Sequence, residues 1–82
     1  MQAMPAHHIV LAVFPGLQGL DLVGPLEVFA DANDEAGREV YRLTVAAVAR
    51  GTVRTSSGLG VSVDTALADI PAGIGTLLVV GG

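Results

Sequence analysis

The stretch HIVLAVF, residues 8 to 14, is the strongest indication of the fold in this 82-residue chain. It is a continuous apolar run that ends at Pro15-Gly16, and a short run of this kind bounded by turn residues is typical of a strand buried on both faces. Such strands occur in parallel sheets whose two faces are covered by helices. The stretch therefore predicts an α/β domain with this strand inside the sheet.

The residues that follow predict a β-α-β unit. Pro25 fits the first position of a helix, and Gly37 fits the left-handed residue that ends one. The stretch YRLTVAAVA, residues 41 to 49, is typical of a second strand, so a right-handed parallel crossover is expected. One face of the intervening helix is expected to pack on the sheet. That face holds Leu26, Phe29, Ala30 and Asn33, and Glu27, Asp31 and Asp34 turn toward water.

The last third of the chain predicts shorter pieces. TVRT (52–55) and LGVSV (59–63) flank a Ser-Ser-Gly turn and indicate a hairpin or an edge ribbon. A single helical turn is expected over residues 65–68, with Asp64 as its cap and Pro71 blocking its continuation. TLLVV (76–80) is a further apolar strand, which is followed by Gly81-Gly82.

The balance of apolar and charged residues is that of a larger domain. Hydrophobic residues make up 51% of the chain and charged residues 15%. A chain of this length holds one small domain, yet it offers one useful helix to cover a parallel sheet and closes on a buried strand. We therefore expect the other half of the core to come from further residues or from another chain.

Charge and composition exclude several kinds of function for this segment. The net charge is −4, and the four arginines and absent lysines form no basic stripe, so no binding of nucleic acid is expected. The chain has no cysteine, and hence neither a disulfide nor a thiol nucleophile. Its beginning lacks the cationic region and long apolar run of a leader or a membrane span. A cytoplasmic protein without membrane contact is expected.

Several motif-like stretches are better explained without a ligand. The spacing of Gly16, Gly19 and Gly24 fits neither a dinucleotide loop nor a P-loop. The stretch DANDEAG (31–37) lacks the glycine position and distal glutamate of a calcium loop. His7 and His8 are adjacent, point apart in an extended segment, and are expected at the surface. The stretch TSSG (55–58) is a turn, so neither a metal nor a cofactor is implied.

Asp21 is the one acid in the stretch FPGLQGLDLVGPLEVF, residues 14 to 29. In open α/β sheets ligands bind beyond the carboxyl ends of the strands, where the loops after Phe14 and Val80 are both expected. Asp21 and Gly81-Gly82 then face one crevice. A second interpretation makes Asp21 a helix cap, since it lies just before Pro25. The residues alone leave both interpretations open.

Three stretches together resemble the opening half of the ThiJ/PfpI superfamily, in its isocyanide-hydratase-like and GlxA-like branch: VFPGLQGLDLVGPLEVFADAN, VRTSSGL and LLVVGG. The resemblance covers residues 8–82. It implies a flavodoxin-like, class I glutamine amidotransferase-like α/β sandwich, usually dimeric. Residues 1–82 are then the N-terminal part of one such domain, truncated after a central strand.

The resemblance also implies roles for three residues. Asp21 matches the acid that hydrogen-bonds a nucleophilic cysteine, Gly82 matches a backbone N–H donor of an oxyanion-type site, and Gly81 shapes that turn. In isocyanide hydratases the cysteine attacks the isocyanide carbon, and the acid acts as general acid and base. The cysteine position of the family lies beyond Gly82.

Three hypotheses follow from the resemblance. The preferred one is a ligand-sensing domain of a GlxA-like AraC-family transcriptional regulator, in which a downstream helix-turn-helix region binds DNA and Asp21 lines a pocket for a small molecule. The alternative is an isocyanide-hydratase-like or amidase-like enzyme that uses a downstream cysteine with Asp21. The third is a truncated reading frame with no independent function. A homodimer is expected in the first two.

Overall fold

The computed structural model describes residues 5–80, and Gly81 and Gly82 lie outside the described residues. Six strands, one α-helix and one short 3-10 helix make up this part of the chain. In chain order they are β1 (His7–Ala12), α1 (Gly19–Ala36), β2 (Tyr41–Ala47), β3 (Thr52–Arg54), β4 (Gly60–Ser62), β5 (Thr65–Ala66), the 3-10 helix Leu67–Asp69 and β6 (Thr76–Val79).

The main sheet is parallel and has the strand order β5-β2-β1-β6. Strand β1 lies inside it, paired in parallel with β2 on one side and with β6 on the other. Residues Ile9 to Leu11 of β1 are buried, which agrees with the apolar run in the sequence. The predicted α/β class and β-α-β unit are therefore confirmed.

Helix α1 covers one face of this sheet. Leu22 on the helix is buried in one cluster with Ile9 and Leu11 of β1 and Val45 of β2, and Leu26 and Phe29 pack against that cluster. The helix ends as predicted: Gly37 has a φ of 68°, and its N–H donates to the carbonyl of Asp34 at 3.2 Å. We call this side of the sheet the helix face.

The start of α1 differs from the prediction. The helix begins at Gly19, six residues before Pro25, and Pro25 lies inside it. A proline there removes one backbone hydrogen bond, the one its N–H would donate to the carbonyl of Asp21. Burial of Leu22, which is 3% exposed, favours the earlier start because only a helical first turn directs this side chain into the core.

The segment after β2 forms the expected hairpin. Strands β3 and β4 pair antiparallel, with Val53 opposite Val61. Val53 is buried in the main cluster and Val61 packs against it, so the hairpin is joined to the domain core.

The predicted helical turn at residues 65–68 is wrong in type and in its cap. Thr65 and Ala66 form the short strand β5, and a 3-10 turn follows at Leu67–Asp69. The carboxylate of Asp64 accepts a hydrogen bond from the N–H of Val45 at 2.8 Å instead of capping a helix. Its own N–H donates to the carbonyl of Val45. Asp64 therefore bonds both backbone groups of Val45 and extends the pairing of β2.

Two burial predictions also change. His8 is buried rather than exposed, because its ring lies on the second face of the sheet and hydrogen-bonds the hydroxyl of Thr44 at 2.8 Å. His7 is exposed, as expected. Strand β6 is covered on one face only: Leu77 is 52% exposed and Val79 72% exposed.

Candidate functional site at the carboxyl edge of the sheet

Strands β1 and β6 end side by side. The N–H of Val80 donates to the carbonyl of Ala12 at 3.1 Å, so the residue after β6 is held against the end of β1. The strand order reverses between these two strands, since β2 lies on one side of β1 and β6 on the other. This reversal is the place where open α/β sheets form their ligand crevice.

The loop after β1 is fixed by the hairpin. The N–H of Gly16 donates to the carbonyl of Arg54 and the N–H of Ser56 donates to the carbonyl of Leu17, each at 2.8 Å. Gly16 has a φ of 87°, a conformation that glycine adopts without strain. The loop therefore leads into α1 along a defined path, and it holds the first turn of the helix at the carboxyl edge.

Asp21 is the third residue of α1 and is exposed. The residue that precedes the helix is Gln18, and it makes no capping hydrogen bond through its side chain. The backbone N–H of Asp21 donates to the carbonyl of Gln18 at 3.0 Å, whereas its carboxylate has no hydrogen-bond partner among residues 5–80. A side-chain cap is therefore excluded within this part of the chain, although a carboxylate in the first turn is favoured by the helix dipole.

Both oxygen-bearing groups of Asp21 are available at this edge. The carboxylate faces solvent, and the backbone carbonyl lacks its regular helical donor because Pro25 has no N–H. Such a residue can accept hydrogen bonds, bind a cationic group or take up a proton. Chemistry that uses a thiol needs a residue beyond these 82, which contain no cysteine.

The neighbours of Asp21 in the helix show which way it points. Leu22 lies in the buried cluster that also contains Val80, whereas Leu20 and Val23 lie on the flank that faces the hairpin. Successive helical residues are turned by about 100°, which places Asp21 on the flank away from the hairpin. The crevice between Asp21 and Gly81-Gly82 stays a prediction, because both glycines lie outside the described residues.

A shallow groove of about 380 Å³ lies on the opposite flank, between α1 and the turn of the hairpin. We call it the hairpin groove. It is lined by Gln18, Gly19, Leu20, Val23, Ser56, Ser57 and Leu59. The turn itself is shaped by Thr55, whose buried hydroxyl accepts from the N–H of Leu59 at 3.1 Å. The interpretation of TSSG as a turn is therefore confirmed, but the groove beside it was not predicted.

Two smaller cavities of about 230 Å³ each lie elsewhere. The first is largely apolar and lies between the ends of β1 and β2, next to Phe14 and Val48. The second lies on the second face of the sheet, where His8, Arg42 and Thr44 meet the segment at Ile70 and Pro71. The sequence analysis did not predict this cavity; the polar residues His8 and Thr44 within two apolar strands are the signal that could have indicated it.

A model of the DJ-1/PfpI family matches residues 7–82. The chain belongs to this family. A relative in Streptomyces lividans, described as "Uncharacterized protein in cpoL 5'region", is 45% identical over 76 residues, which cover 93% of this chain and 52% of the relative. The chain thus spans about half the length of that curated relative.

Three solved structures share the fold of this DJ-1/PfpI chain. A ThiJ/PfpI family protein of Pseudomonas syringae matches with a TM-score of 0.79 at 24% identity, over 96% of this chain and 30% of that one. An AraC family transcriptional regulator of Pseudomonas putida matches with a TM-score of 0.80 at 19% identity, over 95% of this chain and 48% of that one. Drosophila melanogaster DJ-1beta matches with a TM-score of 0.73 at 21% identity, over 95% of this chain and 39% of that one. The expected flavodoxin-like α/β fold is confirmed.

Neither a metal cluster nor a membrane helix is found in the described part of the chain. Among residues 5–80, no three side chains of the types that bind metals come together. The same residues contain no helix with the length and apolarity that crossing a membrane requires.

Proposed function

We propose that this chain is the N-terminal part of a ligand-sensing DJ-1/PfpI domain in a GlxA-like AraC-family transcriptional regulator. Asp21 lines the pocket for a small molecule, and a helix-turn-helix region downstream of Gly82 binds DNA. The observation that carries the proposal is the free carboxylate of Asp21, held at the carboxyl edge where β1 and β6 end side by side.

The position of Asp21 supports a binding role for this residue. Its side chain is neither buried in the core nor bonded to another described side chain or backbone group, so the fold does not use it. The loop before it is fixed by two backbone hydrogen bonds to the hairpin segment, which keeps the backbone of the first helical turn in a defined place. A carboxylate carried on a fixed helical turn can supply the polar contact that orients a ligand.

The regulator assignment is supported by sequence and by fold. The motif LDLVGPLEVFADAN with VRTSSGL resembles the GlxA-like regulators, and the AraC family regulator of P. putida has the same fold over 95% of this chain. The chain spans 48% of that regulator, so the proposal assigns DNA binding to residues beyond Gly82.

The described residues themselves are poorly suited to DNA. The net charge is −4. Arg50 forms an ion pair with Asp69 at 3.1 Å, and Arg54 donates to the carbonyl of Gly58 at 3.1 Å. DNA binding by phosphate neutralisation needs clustered cations, so we assign it to the region downstream of Gly82. The proposed regulator is cytoplasmic and homodimeric.

The alternative function is an isocyanide-hydratase-like or amidase-like enzyme. It is favoured by the contact between Val80 and Ala12, which brings the chain that precedes Gly81-Gly82 to the edge where Asp21 lies. In that case a downstream cysteine is the nucleophile, and Asp21 donates and accepts protons. The backbone N–H of Gly82 donates to the developing oxyanion, and Gly81 shapes the turn that holds it.

Substitution of Asp21 in the full-length gene product tests the proposal. We expect Asp21→Asn to fold like the wild type, because the side chain is exposed, and to lose at least about tenfold in affinity for a small molecule that binds its carboxylate. Thermal-shift screening of small metabolites identifies such a molecule, and fluorescence anisotropy with DNA from the gene's own promoter region measures the response. Glu35→Gln, an exposed acid at the far end of α1, is the matched control.

The two functions give different results. A regulator binds the promoter DNA with an affinity that the metabolite changes, and Asp21→Asn abolishes the change while Glu35→Gln retains it. An enzyme shows no specific DNA binding and hydrates isocyanides at a rate that Asp21→Asn lowers. A metabolite response that survives Asp21→Asn contradicts the assignment of this residue to the pocket.

A further inference from the structure

The cavity between the carboxyl ends of β1 and β2 combines an apolar interior with a single cation. We call it the β1–β2 cavity, and its volume is about 230 Å³. Three buried side chains, Val13, Ala47 and Val53, line its inner part, and the exposed Phe14 and Val48 line its mouth. An apolar cavity of about 150 Å³ accommodates benzene, so this one has room for an aromatic ring.

The cation on the lining of this cavity is Arg50. Its Nε and Nη2 donate to the same carboxylate oxygen of Asp69, Oδ2, at 3.3 and 3.1 Å. Its other terminal nitrogen, Nη1, has no hydrogen-bond partner among residues 5–80. Asp69 itself lines the separate cavity beside His8. Arg50 can therefore donate to a ligand in the β1–β2 cavity, while the carboxylate that it already binds lies outside that cavity.

The ion pair between Arg50 and Asp69 does not prevent a second anion from binding. The two side chains are 63% and 53% exposed, and water screens an ion pair at such positions. A guanidinium carries five N–H donors, so it can bind a second carboxylate without releasing the first. A cationic ligand would be repelled by Arg50, whereas a purely apolar ligand would leave the N–H groups that face the cavity without an acceptor.

From these observations we propose that the β1–β2 cavity binds a small aromatic carboxylate. The ring enters between Phe14 and Val48, where aromatic and aliphatic contacts remove it from water. The carboxylate accepts hydrogen bonds from the guanidinium of Arg50. This site is distinct from the edge at which Asp21 lies, because β2 and β6 flank β1 on opposite sides. It goes beyond the proposed function and holds for a regulator and an enzyme alike.

Isothermal titration of the full-length gene product with benzoate tests the site. The wild type is expected to bind benzoate saturably, with a dissociation constant of about 1 mM or below. Arg50→Gln is expected to raise this constant at least about tenfold, because the charge-assisted hydrogen bonds are lost. Arg38→Gln is the matched control, since it removes the same charge from an exposed arginine outside the cavity. Absence of saturable binding, or equal binding by the two variants, overturns the proposal.

Substitution of Asp69 separates a contact with the ligand from a structural role of Arg50. Asp69→Asn removes the competing anion and is expected to lower the dissociation constant for benzoate about two- to fivefold. Unchanged or weaker binding by this variant overturns the direct contact.

The class of ligand is tested with benzyl alcohol, which keeps the ring but not the charge. We expect it to bind at least about tenfold more weakly than benzoate, and equal binding overturns the assignment to carboxylates. Far-UV circular dichroism checks folding of every variant. If Arg50→Gln does not fold, Val48→Asp, which places a like charge on the lining, is measured instead, with the same expected loss and the same overturning result.

Discussion

Among single residues, Asn33 joins α1 to β2 through three hydrogen bonds of its side chain. Its Oδ1 accepts from the N–H groups of Val40 and Tyr41, and its Nδ2 donates to the carbonyl of Tyr41, all at 2.8 Å. The amide therefore satisfies three backbone groups where the chain enters the sheet. These bonds set the point at which β2 begins.

Replacement of Asn33 by alanine removes all three hydrogen bonds. We expect Asn33→Ala to lower the free energy of unfolding by about 2 kcal/mol, because the half-buried backbone groups lose their partners. Urea unfolding followed by circular dichroism measures the change. Asn33→Asp is the matched variant: it keeps the acceptor but not the donor, so its loss should be smaller. A loss in Asn33→Ala below about 0.5 kcal/mol would show that water replaces the amide.

The sequence placed Asn33 on the packing face of the helix, but its bonding was not predictable. A helical period shows which face a residue occupies, whereas the partner of an amide depends on where the next strand begins. His8 shows the same limit: its apolar neighbours indicated a strand, but its ring is buried beside Thr44 of β2, whose hydroxyl it hydrogen-bonds, and that contact depends on the pairing of the two strands. Asp21 was placed at the correct edge, because the end of β1 fixes the position of the following loop.

At the scale of elements, α1 shows which signals for helix ends were informative. Gly37 ended the helix as predicted, because a left-handed residue breaks the helical hydrogen bonds whatever packs around it. The start predicted at Pro25 was wrong. A proline is tolerated within the second turn of a helix when an earlier residue has an apolar side chain to bury. The start thus depends on Leu22 meeting the sheet, which is a long-range contact.

One glycine substitution just after α1 is expected to lower stability. Gly37→Ala forces an L side chain to a φ of 68° and should lower the free energy of unfolding by about 1 kcal/mol. Gly37→Asn is the matched variant, because asparagine adopts the left-handed conformation at a smaller cost. Urea titrations measure both changes. A loss in Gly37→Ala no larger than that in Gly37→Asn would contradict the assigned end of the helix.

At the scale of the whole molecule, the second face of the sheet is unevenly covered. Val10 on β1 is fully buried there, whereas Leu77, its partner in the register, is 52% exposed and Val79 is 72% exposed. The sequence predicted β6 as a strand, because its apolar run is clear. The single useful helix also predicted an incompletely covered sheet, but the apolar run did not show that β6 is the strand left exposed, because such a run shows what a strand can bury and not what is present to bury it.

The exposed face of β6 predicts dye binding by this 82-residue chain. We expect the chain to enhance the fluorescence of an anilinonaphthalene sulfonate dye, and the double variant Leu77→Ser, Val79→Ser to lose most of the enhancement. Val48→Ser is the control, because that valine is even more exposed, at 84%, but follows the end of another strand, β2. If the chain does not bind the dye, or the double variant binds as much as Val48→Ser, β6 is not the apolar surface.

The central position of β1 has a consequence for the time course of folding. Its second partner strand comes late: His7 hydrogen-bonds Thr76, which is 69 positions further along the chain. Contacts so distant in sequence form slowly, and a ribosome that adds about 5–20 residues per second needs a few seconds between completing β2 and completing β6. Throughout that interval β1 has an unpaired apolar edge, the kind of edge to which other nascent chains add strands. The nascent chain is therefore expected to depend on chaperones during the interval in which β6 is synthesised.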